Sequence, residues 1–247
     1  MIDNQFNLQN KKILVTGGSS GIGRSIAILG STLGASVTIV GRNEERLKET
    51  LSFMHGAVNY IVADLSTEKG IESVAEQSPK LDGVVHCAGI GHRRIGKQIT
   101  PADVDEVMNI NFKAPVLLQA ALLSRKKVAP SASIVFIASK AATSPSIGNG
   151  LYSASKGALI SYSKCLALEL APRKIRVNCV CPAMIWTELI LQGTATKEDL
   201  LAEQQKYPLK RYGNPEDVAN MVAYLLSDAS SWLTNCCYDV TGGANEL

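Results

Sequence analysis

The chain has little that would mark a metalloprotein. Its 247 residues include three histidines, His55, His86 and His92, with no ligand or triad spacing among them. Six cysteines, Cys87, Cys165, Cys179, Cys181, Cys236 and Cys237, form no CxxC pair. The zinc patterns are therefore missing, and no metal is expected. Several of these cysteines lie in apolar segments, where free cysteine acts as a small hydrophobe. No apolar run reaches the ~18 residues a bilayer-spanning helix needs. Residues 1–10 are polar and lack the charged-then-apolar order of a signal peptide. The expected location is cytoplasmic, with no membrane partner. Neither charge sign dominates: 25 Lys+Arg against 22 Asp+Glu leave a net charge of +3. That excludes the concentrated basic face of a nucleic-acid binder. Lys11-Lys12 and Arg125-Lys126-Lys127 read as solvated ends of a strand and a helix. No Pro/Gly/Ser-rich linker and no internal repeat divides the chain, so residues 1–247 read as one domain. With 46% hydrophobic residues, the chain is not disordered.

What is present is alternation. Short apolar runs at 12–16, 36–40, 59–62, 83–87, 133–137, 176–181 and 237–240 read as strands buried on both faces. Longer helical patterns lie between them at 22–33, 44–54, 67–77, 101–127, 152–170 and 215–227. The alternation predicts an α/β fold, a doubly wound parallel sheet of about seven strands with helices on both faces. Residues 183–212 form the longest stretch without a strand, with a helical segment at 197–206. An excursion of that length beyond the carboxyl end of a strand reads as a binding loop or as an ordinary surface loop.

The first strand runs into Gly17-Gly18-Ser19-Ser20-Gly21-Ile22-Gly23 and then a helix. Glycines there allow a tight turn, and a helix N-terminus offers free N–H groups to a phosphate. The spacing is GxxxGxG, in the strand–turn–helix context that nucleotide binding requires; a plain βα turn is the alternative. The second strand ends at Arg42, where an NAD-binding fold would carry an acid for the ribose 2′-hydroxyl. An arginine there suits a 2′-phosphate. One charge-assisted hydrogen bond contributes ~1.5–3 kcal/mol, or about 10- to 100-fold in affinity.

Tyr152 and Lys156 are four apart and share one helical face. A tyrosine of ordinary pKa, ~10, is a poor acid near neutral pH, and a nearby cation makes it a better one. A surface pair is the alternative. Ser139 follows a strand, at the end that faces a ligand crevice in this architecture. Asn111 is polar within an apolar helical pattern, suited to bonding a backbone carbonyl or holding a water.

Taken in order, the pieces resemble the short-chain dehydrogenase/reductase family along nearly the whole chain, from Lys12 to Gly243. They are Thr16 to Gly23, Asp64-Leu65, Ala88-Gly89, Asn111, Ser139, Tyr152-Ser-Ala-Ser-Lys156, Arg176-Val-Asn178 and Asp239-Val-Thr-Gly-Gly243. The resemblance implies a Rossmann-type oxidoreductase that interconverts a ketone and a secondary alcohol with NADP(H), NAD(H) being second. It implies that Ser139 holds the substrate oxygen, Tyr152 carries its proton, Lys156 grips the nicotinamide ribose, and Asn111 keeps a water. The cofactor set is then Gly17, Ser19, Ser20, Gly21, Ile22, Gly23, Arg42, Asp64, Leu65, Cys87, Ala88, Gly89, Tyr152, Lys156, Ile185 and Thr187.

Three places depart from the family pattern. NNAG reads His86-Cys87-Ala88-Gly89, Pro-Gly reads Pro182-Ala183, and a Thr-Gly reads Thr234-Asn235. Cys87 lacks the amide donors of asparagine. Within the family, length and tail resemble 3-oxoacyl-[acyl-carrier-protein] reductases. That implies a 3-oxoacyl thioester as first substrate, carried on acyl carrier protein. Those reductases place basic residues for the carrier near the active-site mouth; Arg173 falls at one such position and Pro130 at the other, with Lys126 and Lys127 close by. A sugar-derived, steroid or other small carbonyl substrate is the alternative, as is a cofactor-binding regulatory protein without turnover. The resemblance also implies a homo-oligomer, dimer or tetramer, because the helical patterns at 101–127 and 152–170 are apolar on more than one face.

Overall fold

All seven expected strands form. In a computed structural model, which describes residues 5–191 and 196–244, β1 (Lys12–Thr16), β2 (Ser36–Gly41), β3 (Val58–Val62), β4 (Leu81–His86), β5 (Val128–Ile137), β6 (Arg176–Pro182) and β7 (Cys237–Val240) make one sheet in the order β3-β2-β1-β4-β5-β6-β7. Every pairing is parallel, so each successive strand needs a crossover. The chain winds outward from β1 to β3, returns to the far side of β1 as β4, and winds outward again. Between β1 and β4 the direction reverses, and an open parallel sheet leaves a crevice there beyond its carboxyl ends.

Side chains alternate along the strands and build two apolar layers. Leu14, Val84, Ile134 and Val177 face α3 (Glu68–Gln77), α5 (Ala114–Ser124) and α6 (Gly150–Leu170), through Val74, Leu118 and Leu159. Ile13, Val15, Ile39, Val85 and Val180 face α1 (Gly21–Thr32), α2 (Glu44–Leu51) and α9 (Pro215–Leu226), through Ile26, Leu47 and Val222. β6 is buried at all seven of its positions, including the polar Arg176 and Asn178, which donate to the carbonyls of Ser227 and Leu233. Asn43 caps α2 by accepting from the Arg46 N–H at 3.0 Å. Capping boxes start α4 (Pro101–Met108) at Thr100 and Asp103, and α9 at Asn214 and Asp217, each followed by proline at its first position.

Two expectations change. The helical pattern at 101–127 is not one helix: α4 passes into a π-turn, Asn109–Lys113, before α5. Pro115 has no N–H for the carbonyl of Asn111, four residues back, so the regular ladder breaks there. β5 begins at Val128 rather than 133, with an irregular register against β4 between Leu81 and Gly83. The excursion is ordered where it is described. It carries α7 (Glu188–Leu191) and α8 (Lys197–Glu203), the latter ending in a 3-10 turn, Gln204–Lys206. Tyr207 packs edge to face on Tyr212 and Trp186 lies tilted against the same ring, beside Leu200 and Ala244. Residues 192–195, including Gly193 of the predicted excursion, lie outside the described residues. No helix among the described residues is long and apolar enough to cross a membrane.

Candidate active site

The Gly17–Gly23 turn folds as a tight cradle. Gly17 has φ +71°, and a Cβ there would come within 3.0 Å of the Ala88 backbone. A Cβ on Gly23 would lie 2.2 Å from the Gly17 carbonyl oxygen. Only hydrogen fits at either place. Gly17 and Gly18 both donate to the Val40 carbonyl, at 2.9 and 3.2 Å. Arg24 pins the turn from below by donating to the Ser19 carbonyl at 2.8 Å. The first turn of α1 holds no acid, and Ser20 makes no side-chain cap, so its N–H groups and positive dipole end stay available to an anion. The cradle therefore fits the phosphates of a dinucleotide. Thr16 ties it to the next loop: its hydroxyl accepts from the N–H groups of Cys87 at 3.0 Å and Ala88 at 3.1 Å. A β-branched residue ending a strand looks like core in sequence, so this linchpin gave no signal of its own.

Arg42 and Asp64 follow β2 and β3, which are neighbours in the sheet. Arg42 is exposed and makes no ion pair among the described residues. Asp64 accepts from the Ser66 N–H at 2.9 Å. Those bonds from Ser66, with the field of Arg42 as a lesser cause, hold its carboxyl below the ordinary carboxylate range. Leu65 beside it is half-buried.

At the carboxyl end of β5, Ser139 opens a 3-10 turn, and its hydroxyl oxygen accepts from the Ala141 N–H at 3.2 Å. The hydroxyl hydrogen remains free to donate. Tyr152 stands in the first turn of α6, half-buried. One turn later, Lys156 is 4% exposed. Its ammonium donates to the Ile137 carbonyl at 2.9 Å and lies 5.8 Å from the centre of the Tyr152 ring. It also faces Gly89, where an added Cβ would come within 3.4 Å of Nζ. No carboxylate pairs with it among the described residues. A buried ammonium with one protein acceptor and two N–H groups left over is costly unless something else occupies them.

Asn111 joins this group through the π-turn. Its Oδ1 accepts from the Ile90 N–H at 2.8 Å, and its Nδ2 donates to the Ile90 carbonyl at 3.0 Å and to Ser155 Oγ at 3.1 Å. Both amide hydrogens are thus spent on holding the Gly89–Ile90 loop against α6.

α7 lies across the crevice. Thr187 packs on Gly21, where a Cβ would meet its methyl at 3.2 Å, and Leu189 packs on Gly91. Glu188 pairs with Arg46 of α2. Ile185 is buried and bridges to Gly213. Of the two predicted residues, Thr187 meets the glycine cradle, whereas Ile185 lies buried against Gly213; the start of α7 is anchored by partners far away in sequence.

The histidines stay apart from this chemistry. His86 stacks on Phe136 with ring centroids 4.6 Å apart and bonds Gln119 at 2.9 Å. Burial pushes it down to about 4. Burial likewise pushes the Cys87 thiol up to about 12, so at neutral pH the loop gains only its backbone N–H. Two departures from the family pattern are absorbed locally. Asn235 takes φ +63° where glycine is usual, and asparagine tolerates that region best among the other residues. Ala183 keeps a negative φ and donates its N–H to Val240 at 3.1 Å. Arg173 and Lys126 precede β6 and β5, so they lie at the amino edge of the sheet, opposite Ser139. That differs from the expected position at the active-site mouth, because strand polarity separates the two ends. A cavity of about 640 Å³, lined by Met184, Arg211, Asp217, Tyr224 and Asp239 among others, includes none of the predicted site residues.

A family model described as enoyl-(acyl carrier protein) reductase matches residues 17–245. The chain belongs to the short-chain dehydrogenase/reductase family. Members of this family act on their substrates with a nicotinamide cofactor. Among curated relatives, the chain is 35% identical to a 3-oxoacyl-[acyl-carrier-protein] reductase of Rickettsia felis, over 96% of this chain and 98% of that one. It is 34% identical to an L-xylulose reductase of Caenorhabditis elegans, over 96% and 97%. A solved structure from Beutenbergia cavernae, provisionally described as an NAD(P)-dependent gluconate 5-dehydrogenase with bound NADP, superposes with a TM-score of 0.89 at 29% identity, covering 97% of this chain and 98% of that one.

Proposed function

We propose that this family member reduces a ketone with NADPH, with a 3-oxoacyl thioester as the first substrate to try. The observation that carries the reading is the buried, unpaired ammonium of Lys156 beside Tyr152 and Gly89. Its two spare N–H groups suit the hydroxyls of a ribose, and its charge favours the tyrosinate that is left when Tyr152 gives its proton to the substrate oxygen. Ser139, with its hydroxyl hydrogen uncommitted, donates to the same oxygen and orients it. The glycine cradle and the α1 N-terminus receive the pyrophosphate, and Asp64-Leu65 flank the adenine. Ile185 and Thr187 close over the nicotinamide end, with Ala88 and Gly89 beneath. The nicotinamide, when bound, supplies the hydride. Asn111 holds the loop on the α6 face, and its carbonyl, to which Pro115 offers no N–H, would suit a water that replenishes the proton.

The exposed and unpaired Arg42, with no acid beside it on β2, supports NADP(H) over NAD(H). The NADP found in the Beutenbergia structure is consistent with that choice. The acyl-carrier reading rests on the relatives, since Arg173 lies away from Ser139 within one chain and Lys127 is occupied by the carbonyls of Glu76 and Ser78. A sugar-derived ketone is the second reading, supported by the L-xylulose reductase at nearly equal identity. We further propose one domain over residues 1–247, a homo-oligomer in solution, and a cytoplasmic setting. An NADPH-oxidation screen across acyl thioesters, sugar ketones and steroids tests the reading. Turnover on one class supports it; saturable NADPH binding with no turnover on any class makes the chain a cofactor-binding regulator instead.

A further inference from the structure

Three of the six thiols meet at one edge of the sheet. Cys179 and Cys237 stand directly opposite each other in the parallel pair β6–β7, and Cys181 is two residues further along β6 on the same face. Cys179 and Cys181 are buried, at 0% and 3% exposure. Cys237 is exposed on the edge strand. Neighbouring strands run about 4.8 Å apart, inside the ~4.4–6.8 Å that Cα atoms span across a disulfide. None of the residues proposed for ketone reduction belongs to this cluster. No group of three or more His, Cys, Asp or Glu among the described residues could hold a metal ion, so the cluster is not a metal site.

We propose that Cys237 is a peroxide-reactive thiol and that a β6 cysteine, Cys179 opposite it or Cys181 beside that, resolves it as a disulfide. Roles follow from the surroundings. The hydroxyl hydrogen of Ser163 is committed to the Ile160 carbonyl at 2.7 Å. Cys179 Sγ lies 3.0 Å from that hydroxyl oxygen. Contact with Cys237, and burial after it, keep Cys179 and Cys181 protonated; both thiols are pushed well above the ordinary cysteine range. Cys237, receiving from both and within the field of Lys164, moves the opposite way. A thiolate at the surface with buried thiols behind it is the arrangement that oxidises selectively. The other exposed thiols lack it. Cys165 bonds the Glu169 carboxylate at 3.3 Å, which holds it protonated. Cys236 points to the opposite face of β7 and bonds the Thr234 carbonyl at 3.3 Å.

The chemistry balances with hydrogen peroxide as oxidant. The Cys237 sulfur attacks a peroxide oxygen, the O–O bond breaks, and hydroxide leaves and is protonated to water. Cys237 is now a sulfenic acid. The β6 sulfur then attacks it, the S–S bond forms, the S–O bond breaks, and the β6 proton leaves with the hydroxyl as a second water. A dithiol reductant reverses the linkage. In a reducing compartment such bonds are transient and act in sensing.

The test uses the reduced full-length protein, hydrogen peroxide at low molar excess, alkylation of the remaining thiols, and peptide mapping by mass spectrometry. The expected product is lighter by two hydrogens, has lost two alkylatable thiols, and links the Cys237 peptide to the β6 peptide. Cys237→Ser, a change at an exposed position, should abolish the link while Cys165 and Cys236 still alkylate. Adding dimedone during oxidation of the unaltered protein should trap the sulfenic acid at Cys237, so the idea does not depend on a buried variant folding. Oxidation that begins at Cys165 or Cys236, or a Cys237 that stays alkylatable after peroxide, would overturn it.

Discussion

The Lys156 ammonium donates to the main-chain oxygen of Ile137 across 2.9 Å, which ties the first turns of α6 to the end of β5 just before Ser139. One contact thereby sets where the serine and the tyrosine stand relative to each other. It leaves two of the three N–H groups of the ammonium unspent in a buried place.

That arrangement predicts a trade between stability and activity. Lys156→Met keeps the apolar stem and removes a buried cation whose desolvation costs several kcal/mol. The orphaned Ile137 carbonyl costs less, ~1–3 kcal/mol. The expected thermal midpoint is unchanged or higher, while NADPH binding weakens and kcat falls. Thermal unfolding beside a fluorescence titration checks it; a clearly lowered midpoint with intact NADPH affinity would mean the lysine is structural.

Cofactor choice should follow Arg42. NADPH should bind more tightly than NADH, by about 10- to 100-fold if one charge-assisted contact to the 2′-phosphate decides it. Arg42→Asp should reverse the order. Equal affinities in the unaltered protein would remove Arg42 from the account.

His86 predicts the acid limb of stability. Its folded pKa, about 4, lies below the ordinary 6.5. A depressed histidine binds its proton more readily when unfolded, so its contribution is complete above about 6.5 and is lost as pH falls toward 4. The loss is on the order of 3 kcal/mol. Denaturant unfolding at several pH values should show uptake of close to one proton across that window, and His86→Asn should flatten it. An unchanged slope in the variant would contradict the assignment.

Assembly should cover the α5–α6 side. Leu122, Leu159 and Leu166 of the two helical patterns are buried within one chain, whereas Leu168 is 68% exposed and Val116, Leu117 and Ala158 are only half-buried. Light scattering at micromolar concentration should give a dimer or tetramer, and Leu168→Glu should shift it toward smaller species. A monomeric mass for the unaltered protein would count against any such interface.

The seven-stranded parallel sheet and the candidate site loops were legible because parallel strands buried on both faces read as short apolar runs, and because glycine, Tyr152 and Lys156 fall at fixed spacings. The break at Asn109–Lys113 was not, since helical periodicity continues through it and only Pro115 hints at the missing bond. The hold of Thr16 on Cys87 and Ala88, and the seating of Thr187 on Gly21, join residues about 70 to 170 positions apart, beyond what local pattern reports. The edge position of Arg173 follows from strand polarity, which a motif match alone does not convey.

The central claim is that Tyr152 carries the proton. Tyr152→Phe removes the hydroxyl and keeps the ring beside Lys156, so NADPH should still bind with near-unaltered affinity. General acid catalysis is typically worth ~10²–10⁴-fold, and kcat on a working ketone should fall by at least that order. A Tyr152→Phe protein that binds NADPH and keeps a third or more of the original kcat would contradict the account.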